Sequence, residues 1–275
     1  MQNAGMAELG LNWRYAAFDV HPAHLAAAID GAHRMHFVGL NLTLPHKVMA
    51  VALMDVLDES ARTWGAVNTI LFEGQDVGGE WKPLGEFTEV PETTRTHGFN
   101  TDADAVVRSI REDLQVEPAA ARVLVLGAGG AGRTAVLKLA SVGVQQLFLV
   151  NRTESKAEEL RSEVNRRFSG VAVTVGYPEG SVDLAINATT LGLAPGDPLP
   201  FDDRMFCLGQ AAAVYDMIYR PAETPLLRQA RMSGCRTANG LGMLLYQGAK
   251  ALELWSGKQA PVEVMRRALE KYIYG

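Results

Sequence analysis

Apolar positions in this chain follow two patterns, helical spacing and short unbroken runs, and the two alternate almost from end to end. In "MQNAGMAELG" Met1, Gly5/Met6 and Leu9 recur at helical spacing, which predicts an amphipathic helix at the first residues. The apolar-rich "NWRYAAFDV" that follows reads as a strand. "HFVGLNLTL" predicts another strand, followed by a helical run from about Pro45 to Leu57 and then the strand "GAVNTILFE". The stretch from Gly74 to Thr96 is rich in Gly, Pro and charge and reads as a long hairpin or surface excursion. "TDADAVVRSIREDL" predicts a helix capped near Thr101 or Asp102.

"ARVLVLGAGGAGRTAVLKLASVG" then starts a new pattern: a fully apolar strand, a glycine turn, and a helix closed by Gly143. "QLFLVNRT" predicts a second buried strand, leading into the charged helix "SKAEELRSEVNRRF" and the strands "VAVTV", "VDLAINAT" and "AAVYDMIY". Apolar strands separated by helices predict a parallel sheet covered on both faces. The chain closes on the helices "GLGMLLYQGAKALELW" and "VEVMRRALEKYIY", read as core-packing rather than partner-binding. The expected class is α/β with two domains, one of them a Rossmann-type doubly wound sheet.

Composition narrows the function classes. Hydrophobic residues at 48% and charged residues at 21% fit a globular protein, and a net charge of −5 argues against nucleic acid as a partner. No apolar run approaches the ~18 residues of a membrane span, and the first residues lack the basic and apolar regions of a secretory signal. Cys207 and Cys235 follow no metal or redox spacing and read as buried or incidental thiols, so a cytoplasmic protein is expected. The pairs His21/His24 and His33/His36 stand at i, i+3, but no matched carboxylate or cysteine set accompanies them. They read as exposed helix-end histidines, and no metal is expected.

Gly127, Gly129 and Gly132 in "VLVLGAGGAGR" fit the dinucleotide fingerprint, in the required context between an apolar strand and a helix. The helix N-terminus adds positive potential for a pyrophosphate. An NAD site would place Asp or Glu at the tip of the next strand. Here "VNRTESK" offers Arg152 to pair with a 2′-phosphate, Thr153 to donate to it, and Lys156 one turn on, which points to NADP. The plainer reading of these three is a solvated basic helix start.

Candidate chemistry ahead of the glycine turn lies in "NLTLPHK" with Asn41, Thr43 and Lys47, in "AVNT" with Asn68, and in "GFNTD" with Asp102. A lysine steadied by a carboxylate can supply the proton that an alkoxide needs after hydride transfer to a ketone, with Asn68 and Thr43 orienting hydroxyls. Singly, Lys47 also reads as a surface lysine, Asn68 as a turn residue and Asp102 as an N-cap.

Taken in order, "NLTLPHK", "GAVNT", "NTD", "GAGGA", "NRT", "NAT", "DMIY" and "GLGMLLYQ" resemble the motif series of the shikimate dehydrogenase family, over about residues 39 to 247. The resemblance implies NADPH-dependent, reversible reduction of 3-dehydroshikimate to shikimate, a step in aromatic amino-acid biosynthesis. It implies Lys47 as acid/base, and Asp102 as its partner and a substrate ligand. Thr43, Asn68, Tyr219 and Gln247 would bind the substrate. For the cofactor it implies Gly127, Ala128, Gly129, Gly130 and Ala131, the run from Asn151 through Arg152 and Thr153 to Lys156, and Met217, Gly240 and Glu59. It also implies a substrate domain of residues 1–103 and 239–275, an NADP domain of residues 104–238, and a monomer or homodimer.

Three departures from the family pattern stand out. The family's first strand and "GxPxxHSxSP" segment, whose serines bind the substrate carboxylate, do not precede "MQNAG"; a downstream start or a trimmed chain is expected, with two sheet neighbours left to face a gap or re-pair. Ala105 replaces the usual glycine three residues after Asp102, and the Gly74–Thr96 excursion is long. Quinate or a shikimate-like polyol remains an alternative substrate, and an NADP-binding protein with little turnover an alternative class. A short-chain-type reductase, which works through a Tyr-x-x-x-Lys pair, is not expected.

Overall fold

The computed structural model describes residues 1–275, which divide into two compact units. Unit one is Met1–Asp102 with Leu245–Tyr272; unit two is Ala103–Leu244 with Ile273–Gly275. In chain order the first elements are helix α1 (Gln2–Glu8), α2 (Leu25–Arg34), strand β1 (Gly39–Asn41), α3 (His46–Met49), β2 (Val56–Leu57), α4 (Glu59–Trp64), β3 (Thr69–Gln75), β4 (Trp81–Pro83) and β5 (Thr94–Phe99). Next come α5 (Asp102–Leu114), β6 (Arg122–Leu126), α6 (Gly130–Ser141), β7 (Gln146–Val150), α7 (Glu154–Arg167), β8 (Ala172–Val175), β9 (Val182–Asn187), β10 (Ala211–Asp216), α8 (Pro225–Met232) and β11 (Arg236–Asn239). Helices α9 (Leu241–Ser256) and α10 (Val262–Tyr274) end the chain.

In unit one the sheet order is β1-β3-β5-β2, with β4 added to β3 as a hairpin. Strand β3 runs antiparallel to β1, β4 and β5, while β2 lies parallel to β5. Ile70 and Phe72 on β3 are fully buried, with Leu25, Ile29 and Ala32 from one face of α2 in the same core cluster. Those three recur at i, i+4 and i+7, the stripe that lets a helix lie on a sheet. The hairpin opens the Gly74–Thr96 excursion, and Arg95 clamps it, bonding Glu73 at 2.7 Å while its guanidinium lies 4.0 Å from the Trp81 ring centroid.

Three expectations for this unit fail. "NWRYAAFDV" forms no strand, and β1 pairs on one side only, with β3. Where a neighbouring strand would bond the segment, the Asn3 side chain does so instead: its Oδ1 accepts the Tyr15 N–H at 2.7 Å and its Nδ2 donates to the Tyr15 carbonyl at 2.9 Å. The aromatic residues that made the segment look strand-like serve as anchors, Tyr15 with its ring 6.2 Å from that of Trp255. The long helix from Pro45 to Leu57 is also broken, into α3, a 3₁₀ turn at Ala50–Leu53 and β2. Of the histidines read as exposed, His33 is half-buried and stacks on Phe72 at 4.9 Å.

Unit two holds six parallel strands in the order β11-β10-β9-β6-β7-β8. Numbered within the unit this is the doubly wound order in which the sequence reverses direction between the first and fourth strands, here β6 and β9. The strands are apolar because helices cover both faces; Leu124, Leu126, Phe148, Val214 and Leu227 share one buried cluster. No element is predicted between Tyr219 and Gly240, yet α8 and β11 lie there. Thr224 caps α8, its Oγ1 accepting the Leu227 N–H at 3.3 Å, with Pro225 in the first turn and Leu226, Leu227 and Ala230 buried. No helix of the chain is long and apolar enough to cross a membrane.

Gly127 has φ of +108° and turns the chain sharply after β6. A Cβ on Gly132 would be driven into the Gly127 carbonyl oxygen, backbone that cannot swing aside. Gly132→Ala should therefore destabilise the protein by about 1–3 kcal/mol, the usual cost of overpacking, as read by urea unfolding. Gly170→Ala, at a position with open space around it, should stay within about 0.5 kcal/mol.

Candidate functional site

Three stretches that are far apart in sequence meet at one end of the first sheet. Lys47 lies on α3, Asn68 just ahead of β3, and Asp102 at the first residue of α5. Lys47 Nζ reaches Asp102 Oδ2 at 2.8 Å, with the two side chains 23% and 15% exposed. That exposure leaves the pair largely shielded from bulk water without sealing it off. Asn68 orients the carboxylate. Its Nδ2 donates to Asp102 Oδ1 at 2.9 Å and to Thr101 Oγ1 at 3.0 Å, while its Oδ1 accepts the Thr101 N–H at 2.8 Å. Both amide protons are committed within the protein, so in this arrangement Asn68 acts on Asp102.

The local sequence explains the convergence. The Asn68 N–H bonds the Phe99 carbonyl at 3.0 Å and the Val67 N–H bonds the Lys47 carbonyl at 2.8 Å, which fixes "AVNT" against both β5 and α3. Asn100 accepts the Asp102 N–H through Oδ1 at 3.1 Å and donates through Nδ2 to Ala66 at 3.1 Å, tying "NTD" to the same turn. Thr43 is exposed nearby in chain position, Gln247 is half-buried on α9, and Glu59 is exposed at the start of α4.

The remaining candidates belong to unit two. Gly127 is buried, whereas Gly129 and Gly130 face open space at the start of α6. The first N–H groups of a helix have no partner within it, so this end is a cradle for an anion. Asn151 shapes that cradle: its Oδ1 accepts the Ala128 N–H at 2.9 Å and its Nδ2 donates to the Thr153 carbonyl at 2.7 Å. The glycine turn after β6 and the loop after β7 are thereby joined through one amide. Arg152, Thr153 and Lys156 are exposed, and neither Arg152 nor Lys156 makes an ion pair, which suits them to an anionic ligand.

Met217 and Tyr219 follow β10 in a loop held by a buried polar group that sequence reasoning missed. Asp216 is fully buried, and its carboxylate accepts from Thr224 Oγ1 at 2.6 Å, Asn187 Nδ2 at 3.0 Å and the Ile218 N–H at 3.1 Å. Burial raises its pKa above the ordinary carboxylate value against the pull of those donors. The register of β9 with β10 sets Asn187 beside Asp216, so the signal was the pairing of "NAT" with "YDM". Gly240 packs on Met217: any Cβ there would strike the Met217 carbonyl, and the Gly240 N–H bonds the Ile218 carbonyl at 3.1 Å. Tyr219 is 38% exposed, and its carbonyl accepts from the Tyr274 hydroxyl at 2.8 Å.

The Tyr-x-x-x-Lys spacing does occur, in "YQGAK", but it makes no site. The Tyr246 ring is buried and its hydroxyl accepts from Arg266 Nη2 at 2.7 Å, whereas Lys250 is exposed beside Glu253 at 4.0 Å.

Family models place the chain. Residues 1–70 match the shikimate dehydrogenase substrate binding domain, residues 109–175 shikimate / quinate 5-dehydrogenase, and residues 240–270 the shikimate 5'-dehydrogenase C-terminal domain. The shikimate dehydrogenase (NADP(+)) of Methanopyrus kandleri is 38% identical, over 99% of this chain and 90% of its own length. Among solved structures, the shikimate 5-dehydrogenase of Thermus thermophilus in complex with NADP(H) and shikimate superposes with a TM-score of 0.79 and 31% identity, covering 98% of this chain and 92% of the other. The ligand-free 5-ketofructose reductase of Gluconobacter sp. strain CHM43 superposes with a TM-score of 0.82 and 34% identity, again over 98% and 92%. With relatives of this identity aligned along almost all of its length, the chain belongs to the shikimate dehydrogenase family.

Proposed function

We propose that this chain catalyses the reversible, NADP-dependent reduction of 3-dehydroshikimate to shikimate. The observation that carries the reading is the Lys47–Asp102 pair, oriented by Asn68 and set within the family's order of motifs. On this reading unit one supplies most of the residues assigned to the substrate and unit two most of those assigned to the cofactor, which when bound would supply or accept the hydride. The open helix start at Gly129 and Gly130 and the unpaired Arg152 and Lys156 fit its pyrophosphate and 2′-phosphate.

During reduction the carbonyl oxygen gains negative charge, and Lys47 Nζ gives it a proton. During oxidation the neutral amine takes that proton back. Asp102 holds the lysine in place through both directions and keeps one carboxylate oxygen on Asn68, so its own orientation survives the change in charge on Lys47. Thr43, Gln247 and Tyr219 are assigned to the substrate's hydroxyls and carboxylate, Met217 and Gly240 to the nicotinamide, and Glu59 to the cofactor. Asn151 and Ala128 act on the cofactor through loop shape, since each occupies the other's polar group.

Two other readings enter the same assay. The likeness to the Gluconobacter reductase and to the shikimate / quinate model supports a test of quinate and of 5-ketofructose beside shikimate. A protein that binds NADP and turns over none of the three would instead be a binding protein. NADP-linked oxidation of shikimate with the highest kcat/KM is the expected result; a higher value on quinate or 5-ketofructose would replace the substrate named here.

Lys47→Ala should lower kcat by ~10²- to 10⁴-fold, the usual worth of a positioned acid/base, in steady-state shikimate oxidation. Near-normal turnover would remove Lys47 from that role. In direct binding by fluorescence, Arg152→Ala should weaken NADP by about tenfold or more while leaving NAD within about twofold, since one charge-assisted contact to a phosphate is worth more than 1 kcal/mol. Asn151→Ala, by contrast, should weaken both cofactors by the same factor, because its bonds go to backbone and none to the 2′-position.

A further inference from the structure

The polar chain around Asn68 extends past the residues assigned above. Asn41 ends β1 directly opposite Thr69 in the β1–β3 ladder. Its Nδ2 donates to the Asn68 carbonyl oxygen at 3.2 Å and to Thr69 Oγ1 at 3.0 Å. A carbonyl oxygen can only accept, so the Asn41 amide has one permitted orientation, nitrogen toward Asn68 and oxygen away. That oxygen accepts from the Tyr15 hydroxyl at 3.1 Å. Thr69, having accepted from Asn41, gives its own proton to Asn68 Oδ1 at 3.2 Å. Asn68 in turn presents Nδ2 to Asp102, and Asp102 holds Lys47.

Every bond in this series has one sense of donation, from the Tyr15 phenol to the Asp102 carboxylate. The first donor is secure. Tyr15 is 37% exposed, and a phenol, with a pKa of about 10, is protonated at neutral pH, so its hydroxyl is available to donate. Its backbone is gripped by Asn3, and its ring lies beside Trp255, whose Nε1 donates to the Ile70 carbonyl on β3 at 3.0 Å. The segment that forms no strand thus brings a specific hydroxyl to the end of β1.

We infer that Asn41, held by Tyr15, is a positioning residue for the reaction: through Thr69 it fixes the Asn68 amide and hence the Asp102 carboxylate that pairs with Lys47. The inference rests on the reading of Lys47 and Asp102 as the acid/base pair.

The test uses Asn41→Asp and Tyr15→Phe in the full chain. Asn41→Asp keeps the shape but turns a carboxylate toward the Asn68 carbonyl, whereas Tyr15→Phe keeps the ring packing and removes one donor. Asn41→Asp should lower kcat for shikimate oxidation by about 10- to 100-fold and Tyr15→Phe by about 3- to 10-fold, the scale of a misplaced reacting group. The dissociation constant for NADP should stay within about twofold in both. Solvent exchange of the Asn68 side-chain amide protons, followed by NMR without ligand, should quicken in both variants. This arm needs no turnover, so a wild-type protein inactive on shikimate would count against the proposed activity alone. Unchanged Asn68 exchange in both variants would overturn the inference. So would a raised KM for shikimate with kcat intact, which would make Asn41 a substrate ligand.

Discussion

The backbone carbonyl of Asn68 can only accept hydrogen bonds, and the polar end of the first sheet is organised around that limit. It takes two donors, the Leu42 N–H at 2.8 Å and the Asn41 side chain at 3.2 Å, so the end of β1 is bound to the start of β3 by backbone and side chain together. On the other side the Asn68 N–H is held by Phe99 at the end of β5. Three strand ends therefore share one residue. A slip of one residue between β1 and β3 would turn each side chain of β1 to the opposite face of the sheet and part Asn41 from Thr69. The same pairing that buries Ile70 and Phe72 thereby sets the geometry of Lys47 and Asp102. Stability and site geometry in unit one come from a single register.

Unit two solves a related problem with different means. A parallel sheet buried on both faces has few places for polar groups, and those it keeps need full sets of partners. Asp216 meets this with three donors into one carboxylate, and the cost of burying it shows in its raised pKa. What the cost secures is a loop of defined shape after β10, with Gly240 pressed against Met217 as a second fastening. At the other side of the sheet reversal Asn151 plays the corresponding part, joining two loops that leave neighbouring strands.

The elements easiest to read in the sequence were those whose signal is local and redundant. The strand-turn-helix at "VLVLGAGGAGR" carries an apolar run, glycines with distinct duties and a helix stop, and it stands where those signals put it. Lys47, Asn68 and Asp102 could be named from motif order, though nothing in their spacing showed that one amide would use both protons to hold the carboxylate and Thr101. "NWRYAAFDV" misled because aromatic and β-branched residues suit strands by packing, while strandhood also needs a partner for the backbone, and Asn3 took that place. The run from Pro45 to Leu57 kept helical spacing, but tertiary pairing of Val56 and Leu57 with His97 and Gly98 drew its end into β2. Helix α8 was legible in principle, since Thr224–Pro225 is a strong start signal. Asp216, Asn41 and Tyr15 were not: their roles depend on who stands opposite them across a ladder or loop.

Arg152 and Lys156 stand exposed around the first turn of α7 and balance no carboxylate. Side chains so placed carry almost no obligation to the fold, whereas the glycines and Asn151 beside them cannot change without disturbing backbone. The family architecture here therefore separates two kinds of inheritance. The glycine turn and the helix start behind it are locked by packing, while the two exposed basic side chains after the next strand are free to change. If Arg152 and Lys156 meet the cofactor as proposed above, a change of nicotinamide coenzyme would need only surface substitutions, with the backbone beneath left as it is.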